Sequence, residues 1–374
     1  MKRVIVILDG LGDLPSKELS NKTPLGAAYT PNLNYFTKKG RLGLMYVINK
    51  NIAPESDEAM LSILGYDPFK YYTGRGLLEA YGTNVRFKKG SVVLRCNFVE
   101  VRGDIIKNIE PKVSKEIIET FVDKMNNINL GVKHKFVATV GHRAVLMLER
   151  GSDKVSNTHP GYNIIKNYVT SAVPVVKEMK IKKCLAFNKE AKKTADAINK
   201  FVKESKNMVD GYAIITRGAG KNLPKLKKLN GWALMADMPV EIAIGKLSGM
   251  KIIKKTNDYK SDAKLVVELA KKHNVYIQIK GPDSFGHAGD AIGKKKIIET
   301  IDKEFFSELK NLKAKIIITA DHSTPYKYKS HSKDPVPLLI YGNGRDNSNK
   351  FSEEECKKGG LGYIYGLKLM KIIQ

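Results

Sequence analysis

Asp9-Gly10, Asp283 with His287 four residues on, Asp321-His322 and His331-Ser332 are side chains suited to divalent cations, although they lie far apart in the chain. Three of these positions close apolar, β-branched runs of strand length: Val4-Ile5-Val6-Ile7-Leu8, Tyr276-Ile277-Gln278-Ile279 and Ile316-Ile317-Ile318-Thr319-Ala320. If the strands lie side by side, their ends pool three carboxylates with imidazoles. Such a group repels and desolvates itself unless cations neutralise the carboxylates, so the economical chemistry is a metal site. Taken singly, Asp9 suits a turn or cap and His331 an exposed loop. Convergence argues otherwise: ligands bind outside the carboxyl ends of strands in open α/β sheets, and all three segments carry their polar residues there.

Local spacing refines this. Asp283 and His287 fall on one face, within about 6 Å, if Ser284-Phe285-Gly286 opens a helix. Asp321 and His322 are adjacent at a strand end, where one can serve each of two neighbouring ions or both the same one. A metal site needs something to act on, and Ser56, at the start of the helical run Asp57-Glu58-Ala59-Met60-Leu61, supplies a hydroxyl. At a helix N-terminus it would sit where phosphate binds; coordination to a cation would make it a nucleophile, whereas an N-cap role would not.

The elements that must position these groups form two blocks. Residues 1–84 and 205–374 alternate buried strands with helices, such as residues 262–273 and 297–309, as expected of a mostly parallel sheet covered on both faces. Residues 85–204 read as strand, helix, strand, helix with no carboxylate-ended strand, which suits a smaller α+β domain inserted into a discontinuous core. At 374 residues the chain is long enough for two cores.

Composition sets the class. Charged residues make up 28% and hydrophobic ones 42%, the balance of a soluble globular protein. The net charge of +27 comes mostly from lysines dispersed along the chain, Lys294-Lys295-Lys296 among them, and reads as a solvated surface rather than a nucleic-acid stripe. It favours a small anionic substrate. Three scattered cysteines make neither a disulfide framework nor a zinc knuckle, and the apolar run after Met1-Lys2-Arg3 is too short for a signal or a membrane span. A cytoplasmic protein without membrane association is expected.

The order and spacing of Asp9-Gly10, Ser56-Asp57, Asp283 with His287, Asp321-His322 and His331-Ser332 resemble the alkaline-phosphatase superfamily of two-metal phosphoryl-transfer enzymes. Leu64-Gly65-Tyr66-Asp67-Pro68, Tyr72-Thr73-Gly74-Arg75-Gly76, Leu94-Arg95-Cys96-Asn97-Phe98, Gly141-His142-Arg143, Arg217-Gly218-Ala219-Gly220-Lys221 and Asp334-Pro335-Val336-Pro337 resemble its archaeal 2,3-bisphosphoglycerate-independent phosphoglycerate mutases. The resemblance implies two divalent ions, manganese first, with magnesium or zinc as alternatives, and no 2,3-bisphosphoglycerate. Asp283, His287 and His331 would hold one ion; Asp9, Ser56, Asp321 and His322 would hold the other. Ser56 would carry the phosphoryl group between 3-phosphoglycerate and 2-phosphoglycerate. Arg75, Arg95, His142, Arg143, Arg217 and Lys280 would contact substrate, and arginine forks suit carboxylate and phosphate on physical grounds alone.

The chain departs from that family at three places. An arginine-rich segment is replaced by residues 107–112, an acidic stretch by residues 156–161, and a lysine after Trp232 by Ile242. A phosphohydrolase or a homoserine-kinase-like phosphotransferase on the same core is the alternative these changes leave open.

Overall fold

The computed structural model describes residues 1–174, 178–256 and 258–374. Numbered along the chain, the strands are β1 (Lys2–Leu8), β2 (Gly40–Tyr46), β3 (Val92–Arg102), β4 (Ile105–Asn108), β5 (His134–Ala138), β6 (Arg143–Leu148), β7 (Tyr162–Lys166) and β8 (Val169–Ala172). They continue as β9 (Met179–Lys180), β10 (Tyr212–Gly220), β11 (Trp232–Met235), β12 (Lys251–Ile253), β13 (Asn274–Ile279), β14 (Ala314–Thr319), β15 (Val336–Tyr341) and β16 (Gly362–Tyr365). Two compact units result, one of residues 1–70, 172–174 and 226–374, the other of residues 71–171 and 175–225.

The first unit is built on an eight-stranded sheet ordered β12-β11-β13-β1-β14-β15-β2-β16. Pairing is parallel from β12 to β14 and between β16 and β2, while β15 opposes both its neighbours. Successive side chains of a strand face opposite ways, so the full burial of Val4 through Leu8 means that β1 is covered on both faces. The expected α/β architecture with a mostly parallel sheet is present. Burying one such aliphatic side chain contributes about 1.5–3 kcal/mol, which is why β1 is aliphatic from Val4 to Leu8.

The second unit centres on β3, with β6 and β4 antiparallel to it and β10 also pairing antiparallel along it. Helices Lys115–Asn127 and Lys192–Ser205 bury Phe121, Met125, Ile198 and Phe201 together with Phe98 and Phe136 of the sheet. The insertion is larger than the expected residues 85–204. Helix Arg75–Gly82 packs on β3, and β10 pairs with β3 from Tyr212 opposite Glu100 to Arg217 opposite Arg95, so both belong to this unit.

Helix positions shift where caps decide. The helix expected over residues 262–273 spans Tyr259–Ala270, because Asp258 accepts a bond from the Ser261 amide and starts it early. The one expected over residues 297–309 begins at Ala291, and passes through a π-helical turn, Asp302–Phe306, into Ser307–Leu309. Helix Pro31–Thr37 takes its cap from a distance: Thr30 makes no side-chain cap, and Asp302 instead accepts bonds from the amides of Asn32 at 3.1 Å and Leu33 at 2.6 Å. Cys96, Cys184 and Cys356 are free and buried, and burial pushes the Cys184 thiol up to about 12. Among the described residues no helix is long and apolar enough to cross a membrane.

Candidate active site

The register of the first unit's sheet decides where the acidic residues meet. Leu8 lies opposite Ile279 of β13, and Ile7 opposite Thr319 of β14, both in parallel pairs. Asp9 therefore emerges level with Lys280 on one side and, two residues after Thr319, with Asp321 on the other. Gly10, at φ +63°, turns the chain immediately afterwards, and a Cβ there would lie 2.6 Å from Asp283 Oδ1. Asp283 itself stands at the start of helix Pro282–Ala288, which puts His287 one turn on, with Nε2 3.5 Å from Asp283 Oδ1.

His322 is the hub. Its Nε2 lies 3.3 Å from Asp9 Oδ1, 3.3 Å from Asp321 Oδ2 and 3.5 Å from the Ser56 hydroxyl. Its ring stacks on that of His331, with centroids 3.6 Å apart and planes 16° from parallel. Two sets of ligand atoms, Asp9 with Asp321 and His322, and Asp283 with His322 and His331, each fall within 4.8 Å of one another. All the expected ligands are thus brought together, but His322 faces both groups and His287 sits at the exposed rim. His331 is 8% exposed, unlike the open-loop histidine that its sequence context suggests.

Each histidine has one nitrogen spoken for. Nδ1 of His287 meets the Lys329 carbonyl at 3.0 Å, that of His331 the Pro54 carbonyl at 2.8 Å, and that of His322 the Thr324 hydroxyl at 3.0 Å. This leaves every Nε2 facing the carboxylates, the arrangement by which metal-binding imidazoles are oriented. Carboxylates are oriented as well: Gln278 donates to Asp321 at 2.8 Å, and Thr324 donates to Asp283 at 2.6 Å. The donor set of buried carboxylates, imidazoles and one hydroxyl fits a divalent cation of hard or borderline character.

Electrostatics point the same way. Burial, with the charge of Asp9 added, pushes Asp321 up to about 7. Burial opposes ionisation of Asp9 too, but Lys280 and His322 outweigh it and hold that carboxylate below its usual range. His322 is desolvated, yet Asp321, Asp9 and Asp283 raise it to about 9; burial and the charge of His322 push His331 down to about 3. The carboxylates thus recruit whatever positive charge is near. Lys280, expected to contact substrate, is already engaged: its ammonium bonds to Asp9 and lies 3.4 Å from Glu241, a fully buried residue that sequence reasoning missed. Ile242 is the next residue on that helix, Pro239–Leu247.

Ser56 is the first residue of helix Ser56–Ile63, not its N-cap, which is Glu55. Its hydroxyl is accordingly turned toward His322 rather than back onto the helix amides.

The remaining expected contacts gather in the second unit. Arg95 and Arg217 are directly opposite on β3 and β10, a placement that like charges disfavour. Arg75, Arg95 and Arg217 are all buried, and burial together with the charges of Arg217, Arg75 and Arg143 weighs against the Arg95 cation. A guanidinium cannot escape by losing its proton, so an anion would relieve the strain. Glu79, another residue that sequence reasoning missed, is buried among them and acts electrostatically on Arg95 and His142. The Arg217 guanidinium stacks on Tyr162 at 3.9 Å, and His159 lies 4.8 Å from the same ring. Residues 156–161, the stretch expected to depart from the family, hence line the neighbourhood of Arg217, with Asn157 accepting the Gly218 amide at 3.0 Å.

A serine beside clustered carboxylates and imidazoles, at the carboxyl ends of a mostly parallel sheet, defines an α/β enzyme of the phosphoryl-transfer class. A family model described as 2,3-bisphosphoglycerate-independent phosphoglycerate mutase matches residues 37–214. The mutase of that name from Methanobrevibacter smithii is 36% identical, over 100% of this chain and 97% of its own. The chain belongs to the 2,3-bisphosphoglycerate-independent phosphoglycerate mutase family. Among solved structures, the PH0037 protein of Pyrococcus horikoshii superposes with a TM-score of 0.78 at 27% identity, covering 100% of this chain and 96% of that one. The cofactor-independent phosphoglycerate mutase of Thermoplasma acidophilum gives 0.63 at 26% identity, covering 100% and 99%.

Proposed function

We propose that this enzyme interconverts 3-phosphoglycerate and 2-phosphoglycerate through a phosphorylated Ser56. The observation that carries the reading is the alignment of β13, β1 and β14, which gathers Asp9, Asp283, Asp321 and His322 around a serine hydroxyl 3.5 Å from His322 Nε2. Asp283, His287 and His331 would hold one divalent ion, and Asp9, Ser56, Asp321 and His322 the other. Bound there, manganese, or magnesium or zinc in its place, would lower the serine pKa and offset charge on the phosphoryl oxygens.

Ser56 Oγ then attacks phosphorus as the bond to the substrate's 3-oxygen breaks. The 2-hydroxyl of the same glycerate takes the group back, so one phosphate ester replaces another with no net release of phosphate or protons. We assign substrate contacts to Arg75, Arg95, His142, Arg143 and Arg217, and a substrate-binding role to residues 71–225. Residues 107–112, residues 156–161 and Ile242 are where this chain's substrate preference would differ from its relatives. Three buried thiols accord with a cytoplasmic location.

One assay tests the reading: 3-phosphoglycerate with Mn2+, an enolase-coupled readout and a phosphate stain. A mutase produces 2-phosphoglycerate with almost no free phosphate. Stoichiometric phosphate release would instead make the protein a phosphohydrolase.

A further inference from the structure

Lys294 stands in a run of three lysines that reads as solvated surface, yet its side chain has no exposed area at all. Its ammonium donates to the Gly12 carbonyl at 3.2 Å, to Asp13 Oδ2 at 2.7 Å and to the Thr324 carbonyl at 2.9 Å. An ammonium has three donors, and each of these is used. Asp13 is held in turn by the amides of Leu14 at 2.7 Å and Tyr326 at 3.1 Å.

The partners of Lys294 belong to two loops, the one that follows β1 and carries Asp9, and the one that follows β14 and carries Asp321 and His322. The loops also meet through the Thr324 amide, which donates to the Gly12 carbonyl at 3.0 Å. Thr324 is the residue whose hydroxyl donates to Asp283 and faces Nδ1 of His322. Lys294 reaches both loops from helix Ala291–Ile301, so one ammonium behind the site adds a tie between loops that carry ligands from two paired strands.

We propose that Lys294 is a positioning residue: through Asp13, Gly12 and Thr324 it holds the two ligand-bearing loops at the spacing that a divalent cation requires. The assignment rests on the metal reading given above. Outer-shell partners of metal ligands commonly change affinity by about 10- to 100-fold when removed, and an effect of that size is expected here.

The test is titration calorimetry of chelator-stripped protein with Mn2+, on the wild type, Lys294→Met, and Asp302→Ala, whose buried carboxylate caps a helix elsewhere. Lys294→Met should bind Mn2+ about 10- to 100-fold more weakly and lose kcat with little change in KM, while Asp302→Ala keeps wild-type affinity. Should Lys294→Met fail to fold, Lys294→Met with Asp13→Asn leaves neither charge unpaired, and the same weakening is expected. Wild-type affinity in whichever lysine variant folds would overturn the proposal while leaving the metal reading intact. Equal weakening in Asp302→Ala would also overturn it, by reducing the effect to general destabilisation. A wild type that takes up no Mn2+ would overturn both readings together.

Discussion

Ser56 and His142 give the sharpest local expectations. Ser56→Ala removes the only atom that can carry the phosphoryl group in the proposed route, so turnover should fall by about 10⁴-fold or more, with Mn2+ content nearly unchanged. Substantial retained activity would exclude the phosphoserine. His142 carries a pH signature: burial and the charges of Arg95 and Arg143 push its imidazole down to about 4 from 6.5, against the pull of Glu110. Between those values the unfolded chain takes up a proton that the folded protein refuses, so stability is present above about 6.5 and lost as pH falls toward 4. Thermal melts of wild type and His142→Gln at pH 7.5 and 4.5 should show the variant gaining on the wild type at the lower pH. A difference that does not vary with pH would show that His142 is solvated normally.

Helices and strands differ in how openly the chain announces them. The β-branched runs before Asp9, Asp283 and Asp321 were legible because burial on both faces demands mostly apolar residues, and the helical spacing of Asp283 and His287 followed from their separation. What escaped was whatever depends on distant contacts. Lys294 looks like its solvated neighbours, Glu79 and Glu241 are ordinary helix residues until their faces are known, and the extent of the inserted unit hinges on β10 finding β3. Helix Pro31–Thr37 shows the same limit, since its cap comes from Asp302. Asp302→Ala leaves those amides buried without an acceptor and should cost about 1–3 kcal/mol in urea denaturation. A cost under about 0.5 kcal/mol would mean that Thr30 or water can take over the cap.

Across the first unit, bound cations would tie folding stability to metal supply. At free Mn2+ a hundredfold above its Kd the native state gains about 2.7 kcal/mol. Chelation should therefore lower Tm by on the order of 5–10 °C and abolish activity, with both restored on adding Mn2+. An unchanged Tm would count against the site. The sheet's strand order also reaches back to biosynthesis. β1 is made long before its partners, residues 275–279 and 314–319. Residues 92–220 can meanwhile complete the pairing of β3 with β6 and β10. β1 thus waits with two open edges until residues 275–319 are made, a hazard for the nascent chain, and any product terminated before residue 331 lacks part of the proposed ligand set.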